Sequence, residues 1–141
     1  MSVTTKTGDK GMSSYFEKRV SKDGKILEAV GTLDELQAVI QMISYKKLDQ
    51  VVDDLYLIMG KKLTKEKIEY LDEGIKKLEK ELKVQNKFVI FTKEKALKLN
   101  WVRTIVRRAE RKSLVFKDKN ILVYLNRLSD FIYLLALKEE E

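Results

Sequence analysis

The feature that most constrains the fold of this chain is an apolar stripe between residues 65 and 83. Apolar side chains recur there at alternating spacings of three and four residues: Ile68, Leu71, Ile75, Leu78 and Leu82. That spacing places all five side chains on one face of an α-helix, the face that packs against a partner helix. The sequence therefore predicts a helix over 65–83 that packs within a larger helical assembly.

Other segments have the same periodicity. Thr32 and Glu35 have the T-x-x-E spacing of a capping box, which predicts that a helix begins there. The apolar stripe that follows consists of Leu33, Leu36, Ile40 and Ile43. Three more helices are predicted, over residues 48–63, 94–115 and 119–138. Residues 87–91, KFVIF, are a short apolar run predicted to be extended or irregular.

Helices of this length joined by short connections predict one all-α domain, an up-and-down bundle of about five helices. The bundle is expected over residues 27–141. Residues 1–26 are polar and are predicted to form a loop, with a short hairpin around SKDGK at 21–25.

The composition excludes several kinds of chemistry. The chain has 141 residues with no cysteine and no histidine, so disulfides, thiol catalysis and imidazole metal sites are excluded. A metal ion would be a hard, oxygen-bound ion such as Mg²⁺. The formal net charge of +7 makes an anionic partner plausible.

No apolar run has the length of a membrane span and the N-terminus has no apolar signal core, so we expect a soluble cytoplasmic protein.

The N-terminal stretch TKTGDKG, residues 5–11, could bind phosphate. Its two glycines allow backbone N–H groups to point into one concavity, and its lysines and threonines add charge and hydroxyl donors. The spacing of a Walker A motif is absent. A flexible, lysine-rich N-terminus explains the same residues.

The predicted helix over 94–115 contains WVRTIVRRAERKS, residues 101–113. Its buried face is expected to consist of Val102, Ile105, Val106 and Ala109. Beside that face, Arg103, Arg107 and Arg111 form one stripe, whereas Arg108 lies on the other side. Stacked like charges cost stability unless an anion neutralises them. A solvated basic face, a nucleic-acid patch and one wall of a phosphate site all remain open from the residues alone.

Two polar positions flank apolar stripes on other helices. Asn126, with Asp130 and Tyr133, flanks the stripe of the last helix, where it could hydrogen-bond a ligand or merely a neighbouring helix. Asp34 flanks the stripe of the first helix and could pair with an arginine across a helix or subunit interface. An ordinary surface pair, worth about 0–1 kcal/mol, is the alternative.

Four blocks together resemble the PduO-type ATP:cob(I)alamin adenosyltransferases: TKTGDKG, EAVGTLDEL, RTIVRRAER and YLNRLSD, in the order of that family. The resemblance implies a helical bundle that assembles as a homotrimer with active sites at subunit interfaces. Co(I) of cob(I)alamin would attack the 5′ carbon of ATP and release triphosphate. Mg²⁺ would accompany the nucleotide, and a cobalamin reductase is a possible partner.

The resemblance also implies residue roles. The triphosphate would be wrapped by Thr5, Lys6, Thr7, Gly8, Asp9, Lys10 and Gly11, with charge added by Lys22. From the adjacent subunit, Arg107 and Arg111 would face the phosphates and serve catalysis, with Glu110 and Asn126 beside the nucleotide. Asp34 and Arg103 would form an intersubunit ion pair. Phe88 matches an aromatic residue of the corrinoid side.

The chain departs from the family pattern at several places. Where the family has PGG after an apolar pair, this sequence has Phe91, Thr92 and Lys93, and KDD has become KDG at 22–24. A divergent homologue that binds ATP or delivers a corrinoid without transferase activity is therefore an alternative. A basic nucleic-acid-binding helical protein is a weaker one, because the aromatic residues lie mostly in apolar stripes rather than among the bases.

Overall fold

The structure, a computed structural model, describes residues 1–141 and confirms an all-α bundle of five helices. The helices are α1 (Lys25–Ile43), α2 (Asp49–Met59), α3 (Lys65–Glu81), α4 (Glu94–Lys112) and α5 (Lys119–Glu140). Short 3₁₀ turns precede α2 at Lys46–Leu48 and follow α4 at Ser113–Phe116. The only sheet is a hairpin of β1 (Met12–Tyr15) and β2 (Lys18–Ser21).

The core lies around α5, which packs against α3 and α4, while α1 packs against α4 and α2. In the predicted stripe of α3, Leu71, Leu78 and the following Leu82 are buried, and Ile68 and Ile75 pack against the core from its edge. By length and composition α5 could also cross a membrane. Ten of its residues are buried within the bundle, which is the ordinary reason for such an apolar helix.

The predicted start of α1 is wrong. The helix begins at Lys25, two turns before the T-x-x-E motif, and Thr32 lies in its interior. There the Thr32 hydroxyl donates to the Glu28 carbonyl at 2.7 Å instead of capping an N-terminus. Ala29 is fully buried, so packing against the core extends the helix upstream of the local capping signal.

The predicted position of the hairpin is also wrong. The two strands pair antiparallel, with Met12 opposite Ser21 and Tyr15 opposite Lys18. The turn is therefore formed by Phe16 and Glu17, where Phe16 has a φ of 54°. SKDGK follows the hairpin and connects it to α1.

The remaining boundaries agree to within a few residues, except that α2 ends at Met59 rather than near 63. Helix α4 gives way to a 3₁₀ turn, and Lys117, with a φ of 51°, then reverses the chain. Asp118 begins α5, because its side chain accepts hydrogen bonds from the Asn120 and Ile121 amides. Residues 87–91 are irregular, as predicted.

Candidate nucleotide and corrinoid site

The arginine stripe of α4 lies beside the core, as the helical phase predicted. All four residues of the expected apolar face are buried: Val102, Ile105, Val106 and Ala109. Arg107 and Arg111 are exposed and Arg103 is half-buried. Two guanidinium groups are thus accessible to solvent on one side of the helix, where they could meet an anion.

Arg107 is connected to α5 through a residue that the sequence analysis missed. Its Nη1 donates to the Ser129 hydroxyl at 3.5 Å and lies 3.8 Å from the Glu110 carboxylate. Ser129 is buried, and its hydroxyl donates to the Asn126 carbonyl at 2.8 Å. The fold therefore places Arg107 close to Glu110 and, through Ser129, close to the backbone carbonyl of Asn126. The family resemblance implied the same grouping of Arg107, Glu110 and Asn126. Ser129 is within YLNRLSD, but no pattern in the sequence marked it as a partner of Arg107.

Arg103 and Asp34 do not pair within one chain. The Arg103 Nε donates to the Asn100 side-chain oxygen at 3.0 Å, and its guanidinium lies 5.9 Å from the centre of the Tyr133 ring. Asp34 is exposed on α1. Their pairing across subunits stays a prediction.

Arg108, to which the sequence analysis assigned no role, forms an ion pair with Glu35 of α1. One turn further along, Lys112 lies 3.7 Å from Glu28. These exposed pairs connect α4 to α1 on the side away from Arg107. They also neutralise part of the basic surface on which a nucleic-acid interface would depend.

The N-terminal loop is held in a defined turn. The amides of Asp9 and Gly11 donate to the carbonyls of Lys6 and Gly8, at 3.3 and 3.1 Å. The Lys22 ammonium donates to the Gly8 carbonyl at 3.0 Å, so Lys22 lies at the loop, as predicted. A Cβ on Gly8 would lie 2.8 Å from the Lys22 nitrogen, so a larger residue there would displace the flexible end of that side chain.

Two further contacts shape this loop. Arg19, which the sequence analysis missed, donates from Nη2 to the Thr7 carbonyl at 2.8 Å. The hydroxyls of Thr5 and Thr7 are 2.9 Å apart. Lys10 and the other side chains of the loop are exposed. The loop therefore offers ammonium, guanidinium and hydroxyl donors in one place.

Arg111 lines a cavity of about 520 Å³ beside the start of α1. The other charged groups of its wall are Lys25, Lys112, Lys117 and Glu28. Four cations against one carboxylate make this cavity suited to an anion.

The segment between α3 and α4 presents apolar side chains to solvent. Phe88 is 91% exposed and Ile90 is 77% exposed. Phe91, by contrast, is buried and meets the Tyr133 ring edge-on at 6.2 Å. No group of three or more acidic side chains lies close enough to hold a metal ion.

A family model described as cobalamin adenosyltransferase matches residues 3–139. The chain belongs to the cobalamin adenosyltransferase family. Its sequence is 32% identical to the corrinoid adenosyltransferase MMAB of Bos taurus, over 95% of this chain and 69% of that protein. It is 30% identical to a corrinoid adenosyltransferase of Bacillus subtilis, over 96% of this chain and 85% of that protein.

Among longer family members, PduO of Salmonella typhimurium is 29% identical over 99% of this chain, which spans only half of that protein. The fold agrees with solved structures of the family. A variant PduO-type adenosyltransferase from Lactobacillus reuteri, complexed with ATP, superimposes with a TM-score of 0.82 at 24% identity, over 96% of this chain and 92% of that one. Another variant, complexed with cobalamin and ATP, gives a TM-score of 0.76 at 21% identity, over 96% and 91%. The bundle predicted from the sequence is thus the fold of this adenosyltransferase family.

Proposed function

We propose that this chain is an ATP:cob(I)alamin adenosyltransferase. It transfers the 5′-deoxyadenosyl group of ATP to the Co(I) of a corrinoid and releases triphosphate. The observation that carries the proposal is the family match over residues 3–139, which includes every block of the sequence resemblance. Relatives at about 30% identity over nearly the whole chain bear names that state the same activity.

The nucleotide is proposed to bind between two sets of donors. On one side is the N-terminal loop, from Thr5 to Gly11, with Lys22 at its edge. On the other are Arg107 and Arg111 of α4, with Glu110 and Asn126 beside them. Negative charge develops on the triphosphate as it leaves the 5′ carbon, and preorganised guanidinium and ammonium groups stabilise that charge.

Carbon transfer needs no side-chain nucleophile, because Co(I) itself attacks the 5′ carbon when the corrinoid is bound. The protein has to hold the two substrates in line and exclude water, and this positioning is a large part of catalysis. We assign the exposed Phe88 to the corrinoid side. Mg²⁺ is placed on the phosphate oxygens of the nucleotide, which are hard ligands.

We further propose a homotrimer whose sites lie between subunits. The outer side of α4 exposes Leu97 and Trp101, by 47% and 48%, and Met42 of α1 is 66% exposed. Such a surface suits burial against another copy of the chain. Asp34 and Arg103, which do not pair within one chain, are proposed to pair between subunits. We place the reaction, with a reductase that supplies Co(I), in the cytoplasm.

The test is turnover of the purified chain with ATP, Mg²⁺ and chemically reduced cobalamin under anaerobic conditions. We expect adenosylcobalamin and triphosphate in equal amounts. Arg107→Ala should lower kcat/KM for ATP by about 10²–10³, the usual effect of losing one donor to a developing negative charge. Arg108→Ala, one residue away but paired with Glu35, is the matched control and should change it by less than about threefold.

Each alternative has its own outcome. Corrinoid binding without product would favour a delivery protein, and ATP binding alone would favour a divergent homologue. Equal losses in the two arginine variants would show that Arg107 is misassigned.

A further inference from the structure

Glu140, in the last turn of α5, binds the segment that leads into α4. The backbone amides of Thr92 and Lys93 donate to its carboxylate, each at 3.0 Å. The Thr92 hydroxyl donates to the same carboxylate. One side chain therefore receives three hydrogen-bond donors from two consecutive residues that are 47–48 positions away in the chain.

These bonds lie at the N-terminus of α4, which begins at Glu94. Lys93 is the N-cap residue of α4, and its side chain makes no capping hydrogen bond. A lysine cannot accept one, because its ammonium has donors only. The Glu140 carboxylate accepts the amides of Thr92 and Lys93, the two residues before the helix, and lies at the end of a helix where negative charge is favourable. The hydrogen bonds from Thr92, and next those from the backbone, lower the pKa of Glu140.

The segment that Glu140 binds is the apolar one proposed to face the corrinoid. Phe88 and Ile90 are exposed on it, and Phe91 fixes one point of it in the core. Glu140 also contributes to the wall of a cavity of about 310 Å³ formed by the segment and the end of α5, together with Val84, Lys87, Val89 and Leu137. The segment is thus fixed at Phe91 and at Thr92–Lys93, while Val84, Lys87 and Val89 line the cavity and Phe88 and Ile90 are exposed to solvent.

We propose that Glu140 is a positioning residue for the corrinoid: its carboxylate fixes Thr92 and Lys93 and thereby sets where Phe88 and Ile90 stand. In this chain a carboxylate from α5 defines the conformation of that stretch. The inference depends on the proposed function, because Glu140 is assigned a role in positioning the segment with Phe88 and Ile90 that is proposed to face the corrinoid.

The experiment compares the wild-type chain with Glu140→Ala and with Glu141→Ala as the matched control. Glu141 is the neighbouring acidic residue, and its side chain has no partner in the structure. Amide hydrogen exchange at Thr92 and Lys93 reports the contact, and steady-state kinetics report its consequence. In Glu140→Ala we expect faster exchange at both amides and a rise of about fivefold or more in KM for cob(I)alamin. KM for ATP should remain within about twofold, and Glu141→Ala should resemble the wild type.

Two results would overturn the proposal. Unchanged exchange would mean that Glu140 does not hold the segment in solution. Faster exchange with an unchanged KM for cob(I)alamin would mean that Glu140 merely caps α4. Wild-type turnover reports the proposed function separately, and an inactive wild-type chain would overturn that function and this role with it.

Discussion

At the scale of single residues, Asp54 is a fully buried carboxylate that connects three helices of the bundle. It is fully buried on α2, where the Tyr124 hydroxyl of α5 donates to it at 2.7 Å. The Lys67 ammonium of α3 lies 3.3 Å from its other oxygen. Burial, followed by the charge of Asp54, raises the pKa of Tyr124 well above its ordinary value, so the hydroxyl stays protonated and can donate. Three helices thus meet at one carboxylate.

Asp54→Ala should lower the free energy of unfolding by about 1–3 kcal/mol, because the buried Tyr124 hydroxyl would lose its acceptor. Urea unfolding followed by circular dichroism measures the change. Asp53→Ala removes the exposed neighbouring aspartate and should change the free energy by less than about 0.5 kcal/mol. Equal losses of unfolding free energy in the two variants would show that the buried contact of Asp54 with Tyr124 does not stabilise the fold. Combining Asp54→Ala with Tyr124→Phe should restore part of the loss, since no hydroxyl is then left unpaired.

The residue scale also shows which parts of the site the sequence could predict. Residue type and helical phase are local properties, so the sequence could predict on which side of α4 Arg107 lies, whereas Lys22 was proposed only from wording shared with a family. Ser129 and Glu140 were not found, because a serine or a terminal glutamate has no distinctive spacing. Their importance depends on partners 22 and 48 residues away.

At the scale of elements, a tight contact between two helices involves Gly74 of α3 and Phe131 of α5. A Cβ at Gly74 would lie 2.8 Å from the Phe131 ring, closer than such atoms approach. The absence of a side chain there allows the ring, which is nearly buried, to lie directly on the backbone of α3. Glycine in a helix interior costs about 1 kcal/mol relative to alanine, so its presence in α3 has a packing reason.

Gly74→Ala should therefore lower the free energy of unfolding by about 1 kcal/mol, although alanine is the better helix former. Overpacking costs about 1–3 kcal/mol and exceeds the gain in helix propensity. Thermal unfolding of Gly74→Ala, of Phe131→Leu and of the double variant measures the coupling free energy between positions 74 and 131. In the Phe131→Leu background the substitution should be neutral or stabilising. A stabilising effect in the wild-type background would contradict the close contact.

Element boundaries were less predictable than element positions. The T-x-x-E motif of Thr32 and Glu35 has the correct local chemistry for a helix start, yet the helix starts at Lys25. Ala29 is buried in the added turns, so packing of the helix favours a start upstream of the local capping signal. A local motif predicts a cap only where tertiary packing does not extend the helix.

At the scale of the whole molecule, several carboxylates make stability depend on pH. The pKa values of Glu81, Glu94 and Glu140 are all lowered from the ordinary value of 4.5 by hydrogen bonds, the first to Lys138, the second to Lys98 and the third to Thr92. A lowered pKa means that the folded chain binds fewer protons than the unfolded chain near and below pH 4.5. Folding is therefore favoured above that range, and the advantage is lost as the pH falls through the folded-state pKa values.

We expect the free energy of unfolding in urea to be nearly constant between pH 7 and pH 5.5 and to fall below about pH 4.5. Glu81→Gln, which removes one of these groups, should make the decline shallower. High salt should weaken the effect of these exposed pairs. A free energy of unfolding that stays flat down to pH 3 would contradict the account.

Assembly is the other property of the whole molecule. If the chain forms the proposed homotrimer, Asp34→Ala should raise the dissociation constant of each interface by about 5–30-fold, the effect of losing about 1–2 kcal/mol of an interfacial ion pair. Sedimentation velocity over a dilution series measures it. Asp53→Ala again serves as control and should sediment like the wild type. A monomeric wild-type chain would contradict the trimer itself.

The order of residue types was enough to place the five helices, to identify the flank of α4 that carries Arg107 and Arg111, and to indicate the family. Helical periodicity and motif spacing extend over short stretches of chain, so they can be read without knowing the fold. Packing in three dimensions established the rest: Arg107 against Ser129, Asp54 beneath Tyr124, Gly74 under the Phe131 ring, and Glu140 on Thr92 and Lys93. Each of these contacts joins residues on different elements, and a short-range pattern contains no information about which distant side chains the closed bundle brings together.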